Sequence, residues 1–285
     1  MANLKEIRGR ITSVSSTMQI TSAMKMVSAA KLKKAQDAIT AMRPYAEKLT
    51  ELLQGLSASM EGDSGSVYAE EREVNNVLAV VITSNRGLCG AFNSNVIKEA
   101  KQAVADTYKG KQVDFVAIGR KGGEVLGKSY TIKENHDHIF DDLTFDNVSE
   151  IAEGLMAKYV DGSYDKIVLL YNHFKNAATQ IVRNEQFLPI VPVEGDELAS
   201  DYIFEPSKEE IIATLIPKSL KTQLYKAVRD SFASEHGARM TAMHKATDNA
   251  KELKDQLKLT YNKARQAAIT NEILEIVGGA EALNN

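Results

Sequence analysis

Residues 122–129 read GGEVLGKS: a glycine, four residues, then Gly-Lys-Ser. That spacing matches the phosphate-binding loop of nucleotide hydrolases. Backbone amides would cradle phosphates, Lys128 would reach the terminal ones, and Ser129 would hold magnesium. Such a loop needs a strand before it and a helix opening at the Lys-Ser. VDFVAIG, residues 113–119, supplies the strand. YTIKENHDH, residues 130–138, has no apolar stripe of helical period, so the helix is missing. No later apolar strand ends in the Asp that would hold the metal, since KIVLLY (166–171) runs into Asn172. Glu124, Val125 and Leu126 read better as part of a short helix, and no nucleotide site is expected.

Other candidates are weaker still. GLCGAFN (87–93) follows the first strand, where α/β sheets often hold ligands, but lacks the glycine spacing of a dinucleotide site. It is expected to shape a turn, with Cys89 as a packed or half-exposed thiol that has no nearby His to activate it. His136 and His138, with Asp137, Asp141 and Asp142, could ligate a metal, but a solvated acidic loop accounts for them better. His236 and His244 miss the four-residue spacing of a helical zinc pair and are expected at surface or partner-facing positions. GDSG (62–65) also occurs around serine-protease nucleophiles, but no apolar strand or His/Asp pattern frames it here. The expectation is therefore no catalytic residue, no metal and no cofactor.

The elements that would position these motifs fall into three segments. Residues 1–60 carry a three-four heptad, with Leu4, Ile7, Ile11, Val14, Met18, Thr21, Lys25, Ser28, Leu32, Ala35, Ile39, Met42, Ala46, Leu49, Leu53 and Leu56 on the seam. This argues coiled coil. Thr21, Lys25 and Ser28 are polar on that seam, while Ile20, Met24, Met26 and Val27 put apolar groups on other faces. A two-stranded coil in water would not do that; a helix pair surrounded by other protein would. Residues 61–206 form the second segment. A linker (61–73) gives way to strand runs at 77–83, 113–119 and 166–171 and helices at 94–108 and 147–160, with Ser94 or Asn93 capping the first helix. Residues 179–187 alternate like an edge strand. Strand-helix alternation predicts an α/β sheet. In residues 207–285, Ser207 and Glu210 form a capping box, Pro217 should kink the helix, and Gly278 and Gly279 fall near its end. Met243, Ala246, Ala250, Leu253, Leu257, Tyr261, Ala264 and Ala268 make one stripe. The fold expected is α/β: a long antiparallel coiled coil of the end helices plus a central Rossmann-like domain. Ile7 would lie near Leu259, Pro44 near Pro217, and residues beyond about Gln266 would overhang as a single helix.

Charge and composition narrow the field. A net charge of −3 gives no argument for nucleic acid. One cysteine excludes an internal disulfide, and no apolar run approaches the ~18 residues of a membrane span. MANLKEIRGRITS has no apolar secretory core and is read as mature protein in a reducing compartment.

Both ends carry a resemblance. ITNEILEIVGGAEA (269–282) looks like the C-terminal signature of the gamma subunit of F-type rotary ATP synthases. SEHGARMTAMHKATDNAKEL (234–253), LTYNKARQAAIT (259–270), IRGRITSVSSTMQITSAMKMVSAAKLKKAQ (7–36), SNRGLCGAFN (84–93) and YIFEP (202–206) resemble the same family. The family commonly has Asp where this chain has Asn85. The plastid members' inserted cysteine pair is absent, so their redox switch is too.

The resemblance implies a non-catalytic rotor shaft of a proton-translocating ATP synthase. It would couple rotation of the membrane c ring to conformational change at catalytic beta subunits. The implied partners are alpha and beta subunits, epsilon and the c-subunit ring. Membrane contact would come only through partners, at the cytoplasmic face of a bacterial membrane. Arg265 and Gln266 would touch beta subunits high in the ring, with Thr270, Glu272 and Glu275 in the same upper zone. Met24, Lys25 and Arg239 would lie lower, near acidic beta loops. Tyr202, Phe204 and Glu205 would form the foot against epsilon and the c ring. Two rival readings stay open from the residues alone: a phosphate-loop hydrolase using Lys128, and a self-associating coiled-coil scaffold.

Overall fold

The computed structural model describes residues 4–58, 67–190 and 208–283. Two very long helices, α1 (Leu4–Ala58) and α5 (Lys208–Leu283), bracket the sheet elements in sequence. The compact units are Met1–Ser28 with Met240–Asn285, and Ala29–Arg239. They cut across the three segments expected from sequence, because the inner parts of both long helices belong with the sheet.

In that larger unit five strands run in the order β3-β2-β1-β4-β5. They are β1 (Asn76–Ile82), β2 (Gln112–Ile118), β3 (Ile132–Asn135), β4 (Lys166–Phe174) and β5 (Gln180–Leu188). β1, β2, β3 and β4 are parallel, and β5 closes one edge antiparallel to β4. β1 reads NVLAVVI with every residue after the first buried, as a strand covered on both faces must. Leu78, Val80 and Ile82 share one core with Val148, Ile151 and Leu155 of α4 (Phe145–Val160) and with Leu220, Leu224 and Val228 of α5. Val77, Ala79 and Val81 share another with Val96, Ile97 and Ala100 of α2 (Phe92–Gln102). The start of α5 is thus a layer of the α/β core.

Local chemistry moved two helix starts. α4 begins two residues earlier than expected because Thr144 caps it, its hydroxyl accepting from Asn147 N at 3.3 Å. α2 also begins early, at Phe92, and neither expected cap serves. Ser94 Oγ donates to the Ala91 carbonyl at 3.0 Å, and the Asn93 amide turns to Ser84. Past Gln102 that helix widens into one π turn, Ala103–Thr107.

The ends of β1 and β2 approach so closely that only glycine fits at 119. Gly119 has φ 108°, and a Cβ there would sit 2.1 Å from the Thr83 carbonyl oxygen. Thr83 N donates to Ile118 O at 2.8 Å across the same junction. Pro44 and Pro217 lie inside α1 and α5, and both helices continue through them. Lys218 Nζ stands 5.7 Å from the centroid of the Tyr45 ring, so the two proline regions are neighbours, as the antiparallel pairing expects.

In the smaller unit α1 and α5 run antiparallel. Arg8 Nη2 donates to Tyr261 Oη at 2.7 Å, and Thr21 meets Thr247 at 2.8 Å. The seam is as read: Ile7, Thr21 and Ser28 are buried, while Ile20, Met26 and Val27 are exposed. One position slips. Leu253 is 46% exposed, and Lys254 turns inward instead, its Nζ 3.8 Å from Met18 Sδ.

Candidate functional site

The phosphate-loop string folds as something else. Residues from Gly122 to Leu126 lie in α3 (Arg120–Leu126), with no helix opening at Lys128. Gly122 N donates to Thr83 Oγ1 at 2.8 Å. Gly127 N donates to Gly123 O and Ser129 N to Leu126 O, each at 3.0 Å. The amides that would cradle phosphates are therefore used internally, and Lys128 and Ser129 are exposed before the short strand β3.

The histidine loop is held by organic partners. His136 Nε2 lies 3.0 Å from Glu134, whose carboxyl Lys158 and His136 hold below its ordinary range, with Lys158 the larger influence. Arg120 donates to Asp137 Oδ2 through Nε at 3.1 Å and Nη2 at 3.0 Å. Asn147 Nδ2 donates to the Asp142 carbonyl at 2.9 Å. No group of His, Cys, Asp and Glu that could hold a metal occurs among the described residues. Asn85 ties this loop down with both ends of its amide. Nδ2 donates to Asp137 O at 2.7 Å, and Oδ1 accepts from Arg120 N at 3.0 Å. An ionised Asp could do only the second.

α/β sheets usually bind ligands where strand order reverses, here at the carboxyl ends of β1 and β4. This chain fills that place with itself. Ser234 Oγ of α5 donates to the Asn172 carbonyl at 3.0 Å, and Asn172 Nδ2 donates to Phe92 O at 3.1 Å. Cys89, Phe92 and Ala238 pack together. Burial pushes the Cys89 thiol up, against the Ser84 hydrogen bond. A non-nucleophilic, packed thiol results.

Arg239 is turned into this cluster and is only 8% exposed. Its Nη1 donates to Glu235 Oε1 at 2.5 Å, one helical turn away. Its Nη2 donates to the carbonyls of Arg86 at 3.1 Å and Gly87 at 3.3 Å. Burial raises the Glu235 carboxyl, and the guanidinium opposes it. Removing one member of such a buried pair costs ~3–5 kcal/mol. His236 is also buried, not at the surface as expected. Burial first, then Arg239 and Lys31, lower its pKa to about 3, and its Nε2 has no hydrogen-bond partner among the described residues. His244 is exposed as expected, beside Asp248.

The remaining expected contacts are on the coil. Met24 and Lys25 are half-buried, and Arg265, Gln266, Thr270, Glu272 and Glu275 are exposed. With Arg8 against Tyr261, Leu4 stands opposite the Arg265 level, so α5 beyond it faces no described residue of α1. Ile269, Ile273, Leu274, Ile276 and Val277 are all 47% exposed or more. Tyr202, Phe204 and Glu205 lie outside the described residues.

Sequence reasoning missed Asn85, Asn172, Ser234 and Glu235 as the polar ties of this region. Nothing in a single helix stripe marks which polar residues turn inward.

A helix-paired coil together with a five-stranded α/β sheet resembles chains of solved ATP synthase central stalks and rotors. The rotor of the Euglena gracilis mitochondrial ATP synthase contains a similar chain, with a TM-score of 0.69, 21% identity, and coverage of 93% of this chain and 98% of that one. A chain of the Tetrahymena thermophila mitochondrial ATP synthase central stalk and c ring is 25% identical, with a TM-score of 0.59 and coverage of 80% and 99%. The family model described as ATP synthase matches residues 3–283. The ATP synthase gamma chain of Flavobacterium johnsoniae is 75% identical over all of both chains. That of Christiangramia forsetii is 68% identical over all of both. The chain belongs to the ATP synthase gamma chain family.

Proposed function

We propose that this chain is the central shaft of a bacterial F-type ATP synthase, coupling rotation of a membrane c ring to the catalytic beta subunits. The full-length identity to bacterial gamma chains carries the reading. No helix among the described residues is long and apolar enough to cross a membrane. The resemblance assigns contact with the cytoplasmic membrane face to epsilon and the c ring.

The mechanism follows from symmetry. Three identical beta subunits around an axis have equal average affinities for nucleotide. One asymmetric helix pair on the axis touches each differently and makes them inequivalent. Turning it advances each site, provided its contacts differ in energy between beta conformations. Polar Thr21 and Ser28 on the seam, and exposed Ile20, Met26 and Val27 off it, suit a coil sheathed by other subunits. Arg265, Gln266, Thr270, Glu272 and Glu275 form the upper contact zone, and Met24 and Lys25 the lower. The resemblance assigns the foot to Tyr202, Phe204 and Glu205. The shaft itself does no chemistry; the internal use of the amides of Gly122, Gly127 and Ser129 supports this.

The test is assembly and rotation. The chain should co-purify with two nucleotide-binding subunits at one copy to three of each. A bead fixed to its α/β unit should then turn in one direction when ATP is added. Failure to assemble, or ATP hydrolysis with a stationary bead, rejects the shaft.

A further inference from the structure

We infer that Arg239 is a positioning residue for coupling: it latches the turn 84–90 to α5, so that the turn moves with the shaft. The inference rests on the shaft reading and adds a residue that acts inside the chain. The turn is held against its own preferences. Leu88 sits at φ 63° with 65% of its surface exposed, a left-handed conformation that an apolar side chain rarely adopts and that persists only when neighbours enforce it. Ser84 Oγ holds the Arg86 carbonyl at 2.6 Å from within the turn. Arg239 holds the same carbonyl and that of Gly87 from α5.

Arginine suits this task for a geometric reason. Its planar fork reaches Glu235 with one nitrogen and two carbonyls with another, and Glu235 fixes the plane. A lysine presents one nitrogen and cannot span both. Simple core filling does not account for the pair, because apolar residues of similar volume fill such a place as stably as a buried ion pair. What the pair adds is a fixed relation between one turn and one helix.

Cys89, the single cysteine, is 2% exposed within this turn and reports on it. In the assembled complex, Arg239→Lys should raise the rate of maleimide labelling of Cys89 at least tenfold. Ions pumped per ATP in membrane vesicles should fall at least twofold, while ATP hydrolysis stays within twofold. Arg229→Lys, at an α5 arginine bonded instead to Tyr225 and the Leu143 carbonyl, should change neither readout. Unchanged labelling in Arg239→Lys overturns the latch. Faster labelling with unchanged coupling overturns its part in coupling. If Arg239→Lys does not assemble, Glu235→Gln, which removes the carboxylate that fixes the fork but keeps the Arg239 guanidinium, takes the same two measurements with the same expected directions. Failure of the shaft reading looks different: the unmodified complex then pumps nothing, while labelling still responds to Arg239.

Discussion

Thr21 and Thr247 face each other across the coil with their hydroxyl oxygens 2.8 Å apart. Each oxygen also lies within reach of a carbonyl one turn back on its own helix, Met18 at 3.1 Å and Met243 at 2.8 Å, so one hydroxyl donates across the seam and the other donates to its own carbonyl. Two polar residues on an apolar seam thereby satisfy each other and fix the register. A slip of one turn would leave both hydroxyls facing apolar groups.

This contact predicts a crosslink. In a Cys89→Ser background, Thr21→Cys with Thr247→Cys should close a disulfide under mild oxidation. Thr21→Cys with Lys254→Cys should not, because seven residues displace the pair by roughly 10 Å. Gel mobility with and without reductant reads both. The reverse pattern would mean the register is wrong.

Lys128→Ala should leave the ATPase of the assembled complex within about twofold. Lys128 lies after α3 on an exposed turn whose amides bond internally. A hundredfold loss, about 2.7 kcal/mol of barrier, would restore the phosphate-loop reading.

Gly119→Ala should destabilise the α/β unit by about 2–4 kcal/mol, because the new Cβ meets the Thr83 carbonyl at 2.1 Å with φ at 108°. Gly87→Ala has nothing within 4 Å and should change stability by no more than about 0.5 kcal/mol. Urea unfolding midpoints compare them, and equal effects would contradict the geometry.

His236 predicts a pH slope. Its folded pKa is lowered to about 3 from 6.5, so the unfolded chain binds its proton first as pH falls. The stability it contributes is complete above about pH 6.5 and is lost as pH drops toward 3, by up to about 1.4 kcal/mol per unit. Arg239 and Lys31 oppose protonation, and Glu235 is the nearby acid. Between pH 7 and pH 5, His236→Leu should lose about 2 kcal/mol less stability than the unmodified chain. Parallel urea-midpoint curves for the two would refute the assignment.

Much of the scaffold could be read from spacing. Ile7, Leu32, Ala35 and Ile39 fall at heptad positions and are buried, and the apolar runs of β1, β2 and β4 became the centre of the sheet. Period reports which face of a helix is covered. It does not report what covers it, so residues 208–239 read as more coil although Leu220, Leu224 and Val228 pack on the sheet. The burial of Arg239 and His236 was not legible for a related reason. A charged or titratable residue on a helix is normally solvated, and only the turn 84–90, distant in sequence, supplies the carbonyls that draw Arg239 inward.

The bare end of α5 bears on how the chain is made. Five large apolar side chains exposed between Ile269 and Val277 form an adhesive surface on any copy not yet sheathed. Surplus copies are then prone to clump or to be degraded, since exposed apolar surface drives both fates in incompletely assembled proteins. Under the proposed function, yield of the soluble chain should therefore track the supply of ring-forming partners more closely than its own synthesis rate.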